Sequence, residues 1–216
     1  MRMDKLPVRA ACILLFAFCL FVPGSSGGEV IDRIMAVVND EVITLTDIRI
    51  IDRFGLFQNL GQVEEADRQK VILDRLIDQK LVIQLTRERI GIAEEELEAL
   101  LTDIIQTIDP GLAEKALLQF GLDWDDLKSY LREKLLYQKI LSQRFDQGVI
   151  VRIDEIERYY EQVYIPSQRK KNSEPLPMIE VLDQIESALR RKKVEGQIRE
   201  WVDNLKREAD IQIKIS

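Results

Sequence analysis

The sequence contains no histidine, and its two cysteines, Cys12 and Cys19, both lie within the first 28 residues. The rest of the chain therefore cannot supply a Ser-His-Asp or Cys-His nucleophile, a His/Cys zinc site or a disulfide. Asp and Glu lie mostly on the polar faces of amphipathic helices, and no pair falls inside an apolar stretch that would raise a carboxyl pKa. Glycine-rich phosphate loops and calcium-loop patterns are also absent. We expect no enzyme activity, no metal and no cofactor.

Proline and glycine are scarce as well, with 6 and 10 positions among 216 residues. Both residue types interrupt helices, so their scarcity predicts long, continuous helices. Hydrophobic residues make up 46% and charged residues 32% of the chain, which suits a packed core rather than a disordered chain. The length suits one domain, or one domain with a small appendage.

Residues 1–28 have the features of a secretory signal peptide. Arg2, Lys5 and Arg9 are basic, residues 10–22 are apolar, and residues 23–28 are small enough for cleavage. The apolar stretch is short for a membrane span, which favours cleavage over an uncleaved anchor. Cleavage would leave 28 Lys and Arg against 37 Asp and Glu, a net charge of −9, with no membrane span. This acidity argues against nucleic acid as a partner.

The two ends of the remaining chain predict strands. Residues 31–38 and 42–44 are apolar runs around the turn Asn39-Asp40-Glu41, the pattern of a β-hairpin. A hairpin alone is marginally stable, so it needs a further strand or a helix layer. Residues 211–216 alternate strictly between apolar and polar, which predicts a third strand. Burial of Ile213 in the shared sheet would make Ile213→Asp cost several kcal/mol.

Helical patterns fill the region between these ends. We predict a first helix capped by Thr46, a later one capped by Asp154, and the following ranges: 46–54, 64–90, 94–108, 112–119, 124–145, 155–164 and 178–209. Residues 165–177 contain three prolines and a basic cluster, which is typical of a linker. The predicted fold is therefore mainly α, with a small antiparallel sheet formed by the N-terminal hairpin and the C-terminal strand.

Two segments leave alternatives open. Residues 54–61 are unusually apolar for a loop, which fits either a loop folded back on the core or an apolar surface kept for a ligand. In the last helix the apolar stripe jumps from Leu189 to Val194, and basic residues fill the gap. This gap indicates either a helix that bends or passes between two packing environments, or an ordinary exposed turn.

Three stretches resemble SurA-type periplasmic chaperones: VIDRIMAVVNDEVITLTDI (30–48), DRLIDQKLVIQLTRERIGI (74–92) and IREWVDNLKREADIQIKI (198–215). In that family, parvulin-type isomerase domains with active-site histidines usually separate the helical N-terminal region from the C-terminal helix. Here only residues 165–177 occupy that place, so isomerase activity is not expected. The resemblance implies a signal peptide (1–28), a helical chaperone region (29–164), a linker (165–177), and a helix and strand (178–216) that complete the same domain.

The resemblance also implies a function. It implies an exported, ATP-independent holdase in the periplasm that binds unfolded outer-membrane or other envelope proteins through an apolar groove. Candidates for the groove are apolar or aromatic residues that flank loops: Phe54, Leu56, Phe57, Leu60, Tyr159, Tyr160 and Tyr164. The alternative is an interaction module or adaptor that binds one specific folded partner. A homodimer that exchanges C-terminal helices is left open.

Overall fold

A three-stranded antiparallel sheet joins the two ends of the chain in the computed structural model. The structure describes residues 32–58, 60–85, 90–145 and 148–214, which belong to one compact unit. The signal peptide expected at residues 1–28 and the last two residues of the expected C-terminal strand lie outside the described residues.

The strands are β1 (Ile34–Val38), β2 (Glu41–Thr44) and β3 (Ile211–Ile213), in the order β2-β1-β3. Ala36 lies opposite Ile43 on one side and Ile213 on the other. Asn39 adopts a φ of 52°, and its amide N–H donates to the carbonyl oxygen of Asp210 at 2.8 Å. The side chain of Asn39 in turn accepts from the N–H of Asp210 at 3.1 Å. The predicted hairpin and its C-terminal partner strand are confirmed.

The expected burial of Ile213 is wrong. Its side chain is 54% exposed, whereas Ala36, Val38 and Ile43 on the same sheet are fully buried. β3 is a short edge strand, and of its two isoleucines only Ile211 packs against the core. Alternation along a strand shows which side chains share a face, but it does not show how far the covering helices extend over that face.

Helices make up most of the described chain, so the predicted mainly α fold is confirmed. They are α1 (Leu45–Arg53), α2 (Glu65–Gln84), α3 (Glu94–Thr107), α4 (Pro110–Gln119), α5 (Trp124–Phe145), α6 (Ile153–Tyr159), α7 (Ile165–Lys170) and α8 (Met178–Glu208). A 3-10 turn covers Leu60–Gln62, and a π-helical turn covers Tyr160–Tyr164. The second helix ends at Gln84, and residues 86–89 of its predicted range lie outside the described residues.

Two predicted helix caps are wrong by two residues. α1 is capped by Thr44, not Thr46: the hydroxyl of Thr44 accepts from the N–H of Asp47, whose carboxylate accepts from the N–H of Thr44 at 2.7 Å. This reciprocal capping box lets the helix start directly at the end of β2. α6 begins after Arg152, so Asp154 lies in its first turn instead of capping it.

The predicted linker at residues 165–177 is helical in its first part. α7 continues directly from the π-helical turn, so Pro166 lies within a continuous helical run and leaves one preceding carbonyl without its helical N–H donor. Only residues 171–177 lie outside regular helix. The prolines and basic residues therefore mark the end of a helical segment here, not its absence.

α2 is packed on several sides. It contacts α1, α5, α8 and the sheet. Its buried apolar residues are Ile72, Leu73, Leu76, Ile77, Leu81, Val82 and Ile83. The first five contribute to the main core, which also receives residues from the sheet and from α1, α3, α4 and α5. Val82 and Ile83 belong to a second cluster with residues of α5 and α8.

α8 passes between two packing environments, which confirms one of the two interpretations of its interrupted stripe. Val181 and Ile185 pack with α6 and the π-helical turn, whereas Val202 packs with residues of α2 and α5. Between these regions, Arg190 donates to the carbonyl oxygen of Val149 at 2.9 Å and Lys193 to that of Ile150 at 2.8 Å. The basic residues hold the extended connector that precedes α6.

Candidate functional site

The apolar loop at residues 54–60 is folded back on the main core. Phe54, Leu56 and Leu60 are buried in that core, and only Phe57 is partly exposed. The interpretation of this segment as a loop that packs on the core is confirmed. Of the four groove candidates in this loop, Phe57 is the one whose side chain can reach a ligand without a rearrangement.

The three tyrosine candidates lie in a different cluster. Tyr159, Tyr160 and Tyr164 pack with Val181 and Ile185 of α8. The rings of Tyr160 and Tyr164 are stacked, with 5.5 Å between centroids, and the hydroxyl of Tyr160 donates to the carbonyl oxygen of Leu176 at 2.8 Å. Tyr164 is buried, whereas Tyr159 and Tyr160 are half-buried. The seven candidates therefore do not converge on one groove, and their contact with a ligand stays a prediction.

Exposed aliphatic side chains surround the tyrosine candidates in sequence, and the sequence analysis missed them. Five large apolar residues between positions 150 and 179 are exposed, and we call them the 150–179 apolar set: Ile150, Ile153, Val163, Leu176 and Ile179. Ile179 is 77% exposed at the start of α8, whereas Val181, two residues further along, is 3% exposed. Successive residues of a helix are turned by about 100°, so these two side chains lie on nearly opposite sides of α8.

A cavity of about 210 Å³ opens between the 54–60 loop, α2 and α5. Its apolar walls include Leu56, Phe57 and Tyr137, and its polar lining includes Arg75, Gln79 and Lys134. Burial lowers the pKa of the Lys134 amine and raises the pKa of the Tyr137 hydroxyl. This cavity combines apolar walls with half-buried cationic groups, and we call it the α2–α5 cavity.

A second cavity, of about 260 Å³, lies beside β2 and is lined by paired polar groups. Lys80 contacts Glu133 at 2.7 Å and Glu41 at 3.3 Å. Burial opposes the charge on Lys80, but these two carboxylates outweigh burial and raise the pKa of its amine. Tyr130 donates to the carboxylate of Asp47 at 2.6 Å. Because the charged groups that line this cavity pair with one another, we interpret them as a structural network and not as a ligand site.

The part of the chain that the structure describes contains no group of three or more Asp and Glu residues placed to hold a metal ion. Nor does any helix in that part have the length and apolar character needed to cross a membrane.

Sequence comparison finds a relationship to known chaperones. No family model matches the chain. Chaperone SurA of Legionella pneumophila (strain Paris) is 22% identical over 159 residues, and chaperone SurA of Alcanivorax borkumensis is 30% identical over 156 residues. The chain is homologous to SurA chaperones. The matched segments cover 70% and 68% of this chain but 36% of each relative.

The homology to SurA concerns part of each relative, because the chain spans about a third of the length of the curated SurA proteins it matches. No isomerase domain is shown within the matched part. Among solved structures, one from work on PEB4 and the periplasmic protein Cj1289, two SurA-like chaperones of Campylobacter jejuni, matches with a TM-score of 0.48 and 10% identity. It covers 85% of this chain and 100% of that one, and a likeness this distant carries no argument beyond the sequence relationship.

Proposed function

We propose that the chain is a periplasmic, ATP-independent holdase for unfolded outer-membrane or other envelope polypeptides. The observation that carries this proposal is the homology to SurA chaperones over about 70% of the chain. The signal-like residues 1–28 support export. Clients of this kind expose alternating apolar side chains and unpaired strand edges, so they aggregate unless those surfaces are covered.

The 150–179 apolar set suits weak contact with many clients. Covering one large aliphatic side chain stabilises a complex by roughly 1.5–3 kcal/mol before the cost of ordering the client is subtracted. A few such contacts allow binding that reverses without an energy source. Flexible apolar contacts also place few demands on client sequence. In this proposal Tyr159 and Tyr160 add aromatic contacts beside the set, and buried Tyr164 supports them.

The chain without residues 1–28 should suppress the aggregation of several unrelated unfolded outer-membrane proteins diluted from urea, as measured by light scattering. Ile153→Ser combined with Ile179→Ser should weaken suppression, because the two side chains are 57% and 77% exposed and lie in the 150–179 apolar set. The matched control is Leu112→Ser with Leu118→Ser. These leucines of α4 are 52% and 68% exposed, so the control removes a similar apolar area elsewhere.

Each outcome of this assay has a separate meaning. If both double variants weaken suppression equally, the 150–179 apolar set is not the client surface. If the unsubstituted chain suppresses none of the clients, the holdase proposal is wrong, and binding to a single folded protein would favour the adaptor alternative. Phe57→Ser tests the loop candidate alone. Leu60 is buried, so a serine there would disturb the core as well as any client contact.

A further inference from the structure

The α2–α5 cavity contains a buried hydrogen-bond acceptor without a partner. Gln79 is 2% exposed, and its Oε1 makes no hydrogen bond with the described residues. Its Nε2 points to the carboxylate of Glu133, at 3.4 Å. A carboxylate requires a donor, which fixes this orientation of the amide. Gln79 lines the α2–α5 cavity and Glu133 lines the neighbouring one, so Oε1 is the amide atom left for the α2–α5 cavity.

The cavity also carries positive charge. Lys134 is half-buried on α5 and has no ion pair or hydrogen bond with any residue in the described ranges. The charge of Asp103 on α3 favours the ammonium form, but burial outweighs it and lowers the pKa of the amine. Arg75 adds a second cation, and it donates to the carbonyl oxygen of Gln58 at 2.6 Å. The one acidic residue among the lining residues is Asp78, whose carboxylate lies 2.5 Å from the amine of Lys206. The lining therefore favours an anionic ligand.

The remaining walls are apolar or aromatic. Leu56 and Phe57 come from the 54–60 loop and Tyr137 from α5. A volume of about 210 Å³ is large enough for one bulky side chain but not for a folded segment. The ligand must therefore combine a negative charge, an N–H donor and a bulky apolar group within one residue.

We propose that the α2–α5 cavity binds the free carboxyl terminus of a polypeptide whose last side chain is large and apolar. The terminal carboxylate pairs with Lys134, the last backbone N–H donates to Oε1 of Gln79, and the side chain packs against Phe57 and Tyr137. An internal segment could fill the apolar walls, but it would leave the ammonium group of Lys134 unmatched. This inference rests on the proposed holdase function, to which it adds a recognised feature of the client.

The test uses N-acetyl-Ala-Ala-Phe as the probe, with a free carboxylate or with a C-terminal amide, and isothermal titration calorimetry of the chain without residues 1–28. The carboxylate form should bind at least about tenfold more tightly than the amide, since hydrogen bonds to charged groups are the strong ones. A probe that ends in alanine, and one whose last peptide nitrogen is methylated, should each bind more weakly than the parent carboxylate.

The matched variants are Lys134→Met and Lys139→Met. Both lysines lie on α5, but Lys139 is paired with Glu96 at 2.7 Å and does not line the cavity. Lys134→Met should abolish the preference for the carboxylate, whereas Lys139→Met should keep it. Circular dichroism of both variants checks that the fold is intact.

Equal affinity for the carboxylate and the amide, or no binding of either probe, would overturn this inference. The holdase proposal is judged separately, by suppression of aggregation with clients whose carboxyl terminus is extended by a short Gly-Ser tail. If aggregation of these clients is suppressed but the two probes bind equally, the carboxyl-terminus site is refuted and the holdase proposal is kept. If aggregation is not suppressed and the probes bind equally, both proposals are refuted.

Discussion

Replacing Tyr130 by phenylalanine should destabilise the domain, because the carboxylate of Asp47 accepts hydrogen bonds both from Tyr130 and from the N-cap of α1. The hydroxyl of Tyr130 on α5 donates to Oδ1 of Asp47 at 2.6 Å. The other oxygen of Asp47 accepts from the N–H of Thr44 at 2.7 Å and closes the capping box of α1. Tyr130 therefore joins α5 to the point at which β2 becomes α1.

The size of the loss follows from the chemistry of this contact. A hydrogen bond to a charged group contributes about 1.5–3 kcal/mol, and removal of its donor leaves the carboxylate to be solvated by water. Tyr130 and Asp47 are both partly exposed, so water can reach Asp47 and the lower end, about 1.5 kcal/mol, is expected. In a domain of this size such a loss lowers the melting temperature by roughly 3–6 °C.

Urea unfolding followed by circular dichroism, with calorimetric melting as a second probe, measures this loss. The matched control is Tyr137→Phe, two turns further along α5. The hydroxyl of Tyr137 has no hydrogen-bond partner in the described part of the chain, so this variant should unfold close to the unsubstituted protein. An unchanged midpoint for Tyr130→Phe, or equal losses in both variants, would refute the reasoning.

Four further variants test the packing and the charges, each by its urea midpoint. Ile213→Asp should cost less than about 1 kcal/mol because the side chain is 54% exposed, whereas Ile43→Ala should cost about 2–4 kcal/mol because it opens a cavity in the core. Lys80→Met should destabilise the protein at neutral pH, since it removes the cation that pairs with both Glu133 and Glu41. Lys134→Met should stabilise the protein, since it removes a half-buried ammonium group whose charge burial disfavours more strongly than Asp103 favours it.

The two lysines should also respond to pH in opposite ways. The pKa of Lys80 is raised in the folded protein, so its stabilising contribution is complete below about pH 10.5 and is lost as the pH rises through the folded pKa. The pKa of Lys134 is lowered, so its penalty is complete at neutral pH and is relieved as the pH rises through the folded pKa. Variants whose differences from the unsubstituted protein do not change between pH 7 and pH 11 would contradict both assignments.

Local sequence signals predicted the elements that depend on neighbours along the chain. α5 begins at Trp124 and ends at Phe145 as predicted, because Asp123 accepts from the N–H groups of Asp125 and Asp126 and fixes its start. The hairpin was predictable for the same reason, since two apolar, β-branched runs flank a turn residue that tolerates positive φ. Asn39 is that residue.

The candidate site was harder to predict because exposure depends on contacts between elements that are distant in sequence. Leu60 is an apolar residue in a loop and was therefore predicted to contact a ligand. It is buried instead, because the 54–60 loop folds onto the core. Ile179 is apolar and only two residues from buried Val181, yet it is exposed because it lies on the opposite side of α8. The sequence does not predict that Oε1 of Gln79 lacks a hydrogen-bond partner, since this depends on which side chains of α2 and α5 face it.

The packing of α8 allows a residue of the proposed client surface to be replaced without disturbing the core. The cluster around Ile156 and Ile185 is distinct from the main core, and the same helix continues from it to Val202, which packs beside α2 and α5. Lys193 of α8 holds the connector and the start of α6, because it donates to the carbonyl oxygen of Ile150 and pairs with Glu155 at 2.6 Å. The side chain of Ile179 lies at the far end of the helix and is outside all of these contacts. Its replacement by serine should therefore change client binding without loss of the fold, so a weakened holdase could not be attributed to unfolding.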